Sequence, residues 1–328
     1  MLSRVANSIY WMSRYIQRAE NVARLIDVNL LLTLDLPHGS DIQWKALVTT
    51  TGDASRFSEA YGEPTPENVI QFLVFDYGNP NSVYSCLRAA RENARAVREI
   101  ISSETWEQIN GFYLSINEAA RSAGQIKLPS QFFHRIRLNG QTVEGVIDAT
   151  MSHDEPWHFC RLGRLLERGE KTARLLDAKY FLLLPSSEYV GSTIDDIQWS
   201  AVLRSASAFE MYRKRYGRIE PSQILRFLLL SRVFPRATHY CVLKADESLH
   251  AICGTPVGEF TTSAERKLGR LRWEFAFSEA SDIIEDGMHE YLDALQTKFN
   301  QVGLGIQESF FNGAPPAETT QTLVPSEE

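Results

Sequence analysis

Two fifteen-residue segments of this chain match each other closely, and they constrain the fold more than any other feature of the sequence. Residues 13–27 read SRYIQRAENVARLID, and residues 163–177 read GRLLERGEKTARLLD. A match of this length predicts that one structural unit is present twice. At an offset of 150, the segments share seven identical residues, which in the first are Arg14, Arg18, Glu20, Ala23, Arg24, Leu25 and Asp27.

Both segments have the apolar periodicity of a helix. In residues 2–30, apolar side chains recur at alternating steps of three and four, and residues 1–36 contain neither Pro nor Gly. Residues 159–180 keep the same spacing. Because one face of an α-helix repeats about every 3.6 residues, each segment is predicted to lie in a long amphipathic helix.

The charged side chains of these helices have two interpretations. Glu20 and Arg24 are four residues apart, and Arg24 and Asp27 are three apart. These spacings place the side chains on one helix face, where each pair would contribute about 0.2–0.5 kcal/mol if solvated. Because the same pattern occurs in both segments, a buried polar network is as good an interpretation as a solvated face. Both interpretations stay open here. The second segment repeats the pattern with Glu170, Arg174 and Asp177.

Further matches extend the repeat at an offset of 155. They include DIQW at 41–44 and 196–199, YG at 61–62 and 216–217, and Pro66 with Pro221. We therefore predict an all-α fold, an internally duplicated helical bundle with a pseudo-twofold arrangement of two long helices. The predicted divisions are 1–150 for the first repeat and its connecting helices, 151–311 for the second repeat and the C-terminal helices, and 312–328 for a disordered tail.

Composition and charge exclude several classes of function. The net charge of −7 gives no electrostatic basis for nucleic-acid binding. The chain lacks an apolar run of about 18 residues, so no membrane span is predicted. Four scattered cysteines without metal-ligand spacing are typical of free thiols in a cytoplasmic protein. The sequence therefore predicts a cytoplasmic protein that needs no metal or cofactor, and a homo-oligomer stays open.

A row of arginines marks one further helix, predicted over residues 82–101. Such a row needs counter-charges, because like charges four residues apart repel each other. These could be internal, from Glu92, Glu99 or the face of Glu20 and Asp27, or they could belong to a bound phosphate, carboxylate or acidic partner. The row consists of Arg88, Arg91, Arg95 and Arg98, and the second repeat does not keep it.

Several motifs resemble those of a known bacterial family, the alpha-E domain proteins, which are all-helical and named for an E-R motif. The resemblance rests on residues 1–27, ARENAR at 90–95, Trp106-Glu107 and SAERKLGRLR at 263–272. It covers nearly the whole chain except the tail. The E-R dipeptide is Glu167-Arg168 in the second repeat, but Gln17-Arg18 stands in the first. If the motif glutamate is chemically active, only the second repeat carries it.

The resemblance implies an accessory role. Such proteins typically accompany a circularly permuted ATP-grasp ligase, and often a transglutaminase-like peptidase, in systems that make or modify peptide amide bonds. We expect this chain to bind the ligase-like partner, or an anionic or peptidic substrate, through helices lined with Arg and Glu. The expected binding residues are Arg14, Gln17, Arg18, Glu20, Arg24, Asp27, Arg88, Arg91, Asn93, Arg95, Arg98, Arg164, Glu167, Arg168, Glu170, Arg174 and Asp177.

Two alternatives remain. In the first, the chain is an enzyme of the same system, with Glu167, Glu170 and Glu20 as buried carboxylates whose raised pKa suits them to act as acid or base. In the second, the chain is a purely structural, dimerising bundle. The sequence does not decide whether the chain is an enzyme, although the lack of a nucleophile motif favours binding.

Overall fold

The computed structural model describes residues 1–35, 41–122, 130–182 and 193–312. These residues form helices and connecting turns without a β-strand, which confirms the all-α prediction. The first part contains α1 (Ser3–Asp35), α2 (Asp41–Thr51), α3 (Ala54–Tyr61), α4 (Pro66–Ile70), the π-helix π1 (Gln71–Phe75), α5 (Val83–Ala96), α6 (Ser103–Ser122) and α7 (Ser130–Thr150).

The second part repeats much of this order of elements. A long helix is followed by two shorter ones, then by a five-residue helix that begins with Pro and continues into a π-helix. The elements are α8 (Glu155–Leu182), α9 (Thr193–Ser205), α10 (Phe209–Tyr216), α11 (Pro221–Leu225), π2 (Arg226–Leu230), α12 (Thr238–Cys253), α13 (Ser263–Phe277), α14 (Ala280–Glu285), α15 (Met288–Ile306) and π3 (Gln307–Phe311).

The two long helices, α1 and α8, lie at the centre of the bundle. Helix α1 packs against α5, α7 and α8, and helix α8 packs against α1, α12 and α15. The predicted apolar face of α1 is buried, as Ile9, Met12 and Ala23 illustrate. One continuous apolar core contains residues from both sides of position 150, so the division into 1–150 and 151–311 stays a prediction.

A glycine sets the distance between α1 and α8. A Cβ atom on Gly163 would lie only 2.4 Å from the carbonyl oxygen of Tyr10. The backbones of the two helices therefore approach each other more closely than any larger residue at this position would allow. This close approach brings the polar side chains of the next helical turns into direct contact.

One helix boundary differs from the prediction. Helix α5 ends at Ala96 rather than near residue 101, because the Val97 N–H bonds to the Ala94 carbonyl and the chain turns toward α6. Helix α6 is capped by Ser102, whose hydroxyl accepts a hydrogen bond from the Thr105 N–H at 3.1 Å. The sequences PHG at 37–39 and GQIKLP at 124–129 predict breaks between helices, and the change of offset from 150 to 155 predicts a five-residue insertion near 185–193. These two breaks, most of the insertion and nearly all of the predicted tail lie outside the described residues.

The close approach at Gly163 can be tested with a matched pair of substitutions. Gly163→Ala should lower the free energy of unfolding by at least about 1–3 kcal/mol, because the added methyl group overpacks the helix contact. Gly111→Ala on α6 is the control, since a Cβ there meets no atom within 4 Å. It should raise stability by up to about 1 kcal/mol through helix propensity. Urea denaturation measures both; equal effects would contradict the close packing.

Candidate functional site

The glutamate of the E-R dipeptide is the centre of a buried ionic cluster. Arg18 of α1 binds Glu167 of α8 with two hydrogen bonds, Nε to Oε1 at 2.7 Å and Nη2 to Oε2 at 3.0 Å. Arg14, one turn earlier on α1, donates to the same carboxylate at 2.8 Å. The third nitrogen of Arg18, Nη1, donates to Asn81 Oδ1 at 2.6 Å, just before α5. Glu167 thus joins α8 directly to α1, with no solvent exposure of its own.

Three more charged side chains of α8 complete this Glu167 cluster. Arg174 donates to Glu170 at 2.9 Å, which is the predicted pair four residues apart. Arg14 also reaches Glu170, at 3.4 Å. The ammonium of Lys171 lies 3.9 Å from both Glu167 and Glu170, which is beyond hydrogen-bond distance.

The arginine of the E-R dipeptide belongs to a second ionic group, the Glu20 cluster. Arg168 of α8 donates through Nε to Gln17 Oε1 at 2.9 Å and through Nη2 to Glu144 of α7 at 2.6 Å. Arg164 also pairs with Glu144, at 3.2 Å. Gln17 in turn donates to Glu20 Oε2 at 3.2 Å. The two residues of the dipeptide therefore connect α8 to different partners.

Glu20 accepts hydrogen bonds from two further side chains, both arginines. Arg24, four residues later on α1, donates to Glu20 and also to the Ser207 hydroxyl. Arg236, which precedes α12, donates to Glu20 and to Asn21 Oδ1, the latter at 3.2 Å. The Glu20 carboxyl group is thus held by side chains from its own helix, α1, and from the turn before α12. It also lies against Gly140 of α7, where a Cβ atom would come within 3.1 Å of the Glu20 side chain.

These clusters answer the question of burial that the sequence left open. Glu20 and Arg24 are each 2% exposed, and Glu167 is 0% exposed. The interpretation as a buried polar network is confirmed, and a solvated face is wrong for these side chains. The predicted pairs of Arg24 with Asp27 and of Arg174 with Asp177 do not form among the described contacts.

The two aspartates instead attach outer helices to the central pair. Asp27 accepts a hydrogen bond from Ser130 at 2.5 Å and pairs with Arg137 at 3.1 Å, both on α7. Asp177 contacts His289 Nδ1 at 2.7 Å and accepts from Gln296 at 2.9 Å, both on α15. The aspartate at the matching position of each segment thus attaches an outer helix, α7 or α15, to the long helix that carries it.

The pKa shifts of the glutamates run opposite to the enzyme hypothesis. Burial alone would raise the pKa of Glu167, but Arg18 and Arg14 outweigh it and lower the pKa well below its usual range. For Glu170, Lys171 and Arg174 overcome burial in the same way and lower the pKa to about 2. Arg236 and Arg24 lower the pKa of Glu20 against its burial. The expectation of raised pKa values is wrong for all three carboxyl groups.

Arg24 shows that cations are crowded in the Glu20 cluster. Its burial, and next the charge of Arg236, lower the pKa of Arg24 to about 9 despite its contact with Glu20. A guanidinium keeps its proton in proteins, so the lowered pKa reports an unfavourable environment rather than a neutral side chain. One carboxylate therefore does not fully compensate Arg24 and Arg236.

The arginine row lies apart from both clusters, on the outside of the bundle. Glu92 pairs with Arg91 at 2.8 Å and with Arg95 at 3.0 Å, so part of the row has internal counter-charges. Arg98 stacks over the Trp106 ring at 4.8 Å. Glu20 and Asp27 are engaged elsewhere, so they are not the counter-charges of this row. Asn93 donates to the Ala89 carbonyl at 2.9 Å, while Arg88, Arg95 and Arg98 are exposed.

Two cavities adjoin the clusters. One, with room for little more than a water molecule, lies beside the Glu167 cluster and is bordered by α1, α2, α8 and Asn81. The other, of similar size, lies beside the Glu20 cluster between α1, α7 and α8. Both therefore flank the contact between the two long helices.

Sequence reasoning missed several members of these clusters. Glu144, Lys171 and Arg236 lie in the site but were not predicted. Glu144 belongs to no repeated pattern, so no signal identified it. Arg236 had a weak sequence signal, because it stands 155 positions after Asn81, which is the offset of the repeat. In the structure, both residues bind an ionic cluster of the core.

Comparisons with known proteins agree with these features. The model of a family described as a predicted alpha-helical domain with a conserved ER motif matches residues 1–311. Uncharacterized proteins of Mycobacterium bovis and of two strains of Mycobacterium tuberculosis are 23% identical over 342 aligned residues. The alignment covers 98% of this chain but 37% of each relative, so the chain spans little more than a third of their length. No solved structure matches the chain.

None of the helices in the described ranges has the length and apolarity to cross a bilayer.

The buried carboxylate of the dipeptide should dominate stability. Glu167→Gln should lower the free energy of unfolding by about 3–5 kcal/mol, because it leaves Arg18 and Arg14 buried without their anion. Glu92→Gln, in the exposed pairs of α5, is the control and should cost about 1 kcal/mol or less. Denaturant titration measures both changes. A small effect of Glu167→Gln would show that the cluster is dispensable for folding.

Acid should destabilise the fold within a defined pH range. The folded pKa values of Glu167, Glu170 and Glu20 lie below their unfolded values, so their contribution to stability is complete above about pH 4.5. It should be lost as the pH falls from 4.5 toward 2. Urea midpoints between pH 6 and pH 3 measure the loss, and Glu170→Gln should reduce its steepness. A constant midpoint below pH 4.5 would contradict the lowered pKa values.

Proposed function

This chain belongs to the Alpha-E family, and from that premise we propose that it is a cytoplasmic binding component of an ATP-grasp-linked system that makes or modifies peptide amide bonds. In this proposal it docks an ATP-grasp ligase and holds an anionic or peptidic substrate for it. A transglutaminase-like peptidase is a further proposed partner. The family resemblance supports the partners, and the charges of the core support the substrate class.

The observation that carries the proposal is an excess of cations inside the bundle. Counted over the described residues, the two clusters and the adjoining Asp53 contain eight cationic side chains and five carboxylates. An uncompensated buried charge is costly. An anionic ligand would remove part of that cost, so the core is suited to bind one. The protein as a whole has a net charge of −7, so the excess is a local feature.

The carboxylates of the core support binding rather than acid–base chemistry. Each of Glu20, Glu167 and Glu170 has a lowered pKa and is held by at least two cations. A carboxylate that remains ionised and fully paired is a poor proton donor and a weak base near neutral pH. Their role in the proposal is to hold the arginines in place around the ligand.

We further propose that the two halves are copies related by a pseudo-twofold axis between α1 and α8. Two reciprocal contacts support it: Arg18 binds Glu167, and Arg168 binds Gln17. An offset of 150 converts each of these contacts into the other. A second reciprocal relation joins the ends of the shorter helices, since Arg24 donates to Ser207 and Arg174 lies beside Gly52, 155 positions earlier.

The exposed arginines of α5 are the proposed docking surface for the ligase. Arg88 and Arg95 project from the bundle, and Glu92 compensates only part of the row. Cationic surfaces of this kind favour association with acidic partners. The surface is separate from the buried clusters, so a single protein could hold a substrate and contact the ligase at once.

Reconstitution with the ligase tests the proposal. With ATP, substrate and the ligase encoded in the same host, addition of this chain should raise the amount of amide product at least tenfold. The double variant Arg88→Glu with Arg95→Glu should lose capture of the ligase, because its charge is reversed. The control is Arg56→Glu on α3, an exposed arginine outside the row.

Two results would contradict the proposal. Product that forms at the same rate without the chain would remove any accessory role. Product that forms from the chain alone, without the ligase, would replace the binding role with the enzyme alternative. If the chain is a purely structural dimer, its addition would leave the rate of product formation unchanged.

A further inference from the structure

Two aromatic side chains of α13 lie on the surface of the bundle. Trp273 is 50% exposed and Phe277 is 79% exposed, and their rings stack with centroids 6.2 Å apart. No other Trp or Phe whose side chain the structure describes is exposed. The Arg272 guanidinium lies 5.9 Å from the Trp273 ring and is itself held by Asp246 at 2.6 Å, so a fixed cation supports the indole. An exposed and ordered aromatic pair is typical of an interaction surface.

The two aromatic residues belong to one stripe along α13. The stripe has steps of four, three and four residues, which place its members on a single helix face. The opposite face is buried against α12 and α15. The members are Arg266, Arg270, Trp273 and Phe277, and all four are exposed. The other two cations of α13 pair with carboxylates of the protein, whereas no ion pair to Arg266 or Arg270 forms among the described residues.

The stripe leads into an acidic region. Residues 278–293, which contain α14 and the start of α15, carry six carboxylates and neither Lys nor Arg. All six are exposed, and none forms an ion pair with Lys or Arg within the part of the chain that the structure describes. Helix α14 adds one more exposed apolar side chain, Ile284. The carboxylates are Glu279, Asp282, Glu285, Asp286, Glu290 and Asp293.

This order of charges makes the surface complementary to a rotated copy of itself. It has cations at one end, aromatic rings in the middle and carboxylates at the other end. A twofold rotation about an axis across α13 reverses the order, so the cations of one copy meet the carboxylates of the other. Arg270 lies five residues before residue 275 and Glu279 lies four residues after it, so an axis at the level of residue 275 brings these two side chains together across the interface.

The same order of charges argues against other kinds of partner. An anionic membrane surface would attract Arg266 and Arg270, but the six carboxylates next to the aromatic pair would repel it. Nucleic acid would meet the same repulsion. The two cations require carboxylates and the acidic region requires cations, and a second copy of this chain supplies both.

We propose that α13 and α14 form the interface of a homodimer, in which a second copy of this chain packs antiparallel on the stripe. Trp273 and Phe277 of the two copies form the apolar centre. Arg266 and Arg270 of each copy pair with carboxylates of the other. The inference goes beyond the proposed function, and it leaves the exposed arginines of α5 free, because α5 packs against α1 and α6 while α13 packs against α12 and α15.

Sedimentation equilibrium of the full chain measures the association. The apparent mass should rise from 37.2 kDa toward twice that value as the concentration increases. Phe277→Ser should raise the Kd of the dimer at least about tenfold, because it removes one ring of the apolar centre from each copy. Leu114→Ser, at a side chain of α6 that is 50% exposed, is the control and should leave the Kd unchanged. Both positions are exposed, and melting temperatures check that both variants fold.

Charge exchange tests the antiparallel arrangement. Arg270→Glu and Glu279→Arg should each raise the Kd at least about tenfold, because each creates like-charged contacts at both ends of a twofold interface. An equimolar mixture of the two variants should associate as tightly as the unmodified chain, since each end then pairs opposite charges. The double variant should recover in the same way. Arg56→Glu on α3 is the control and should leave the Kd unchanged.

Three results would overturn the inference: a chain that stays monomeric at the highest attainable concentration, a dimer that Phe277→Ser does not weaken, or a mixture of the two charge variants that stays dissociated. A monomer whose Phe277→Ser variant loses capture of the ligase would assign the surface to the ligase instead. A monomer that co-sediments with phosphatidylglycerol vesicles would assign it to a membrane surface. A monomeric chain leaves the proposed accessory role standing, since the reconstitution assay does not depend on dimerisation.

Discussion

The bidentate pair of Arg18 and Glu167 is the contact on which the rest of the structure depends. It lies where two long helices approach closely, at a point from which water is excluded. Removing two charges from water is costly, and a buried pair repays this cost only when its geometry is good and its other polar atoms are bonded. Here the Glu167 carboxylate accepts a hydrogen bond from a second arginine, Arg14, and the Arg18 guanidinium donates another to Asn81. The pair therefore fixes the register of α1 against α8, because any shift of one helix would leave charges unpaired.

The same contact explains why the core carries more cations than anions. The glutamate of the dipeptide is present on α8, while Gln17 occupies the matching position on α1 and accepts from Arg168. A neutral amide can orient an arginine, but it cannot neutralise it. Arg168 takes its counter-charge from Glu144 instead, which it shares with Arg164, and the lowered pKa of Arg24 is a second sign that cations outnumber carboxylates in the core. In the proposed function, an anion that enters the core would reduce this repulsion and thereby stabilise the fold.

Asn81 and Arg236, which stand 155 positions apart, contact different ionic clusters. Arg236 donates to Glu20 in the Glu20 cluster. Asn81, which is shorter, accepts from Arg18 in the Glu167 cluster instead. The external arginines of α5 are separate from both, so binding of a partner need not disturb the core.

The sequence alone determined the helical content, the long central helices and the repeated ionic positions. Apolar spacing suffices for this, supported in the first helix by the absence of Pro and Gly from residues 1–36, because helix formation depends on neighbours within a few residues. The pairs of Glu20 with Arg24 and of Glu170 with Arg174 follow from the same local spacing.

Only the tertiary structure decided which charges are buried, what they contact and how their pKa values shift. Arg236 and Glu144 enter the site from distant positions, and Asp27 turns to α7 rather than to Arg24. The direction of a carboxyl pKa depends on the balance between burial and surrounding cations, and that balance is set by side chains brought together from α1, α7, α8 and the turns before α5 and α12.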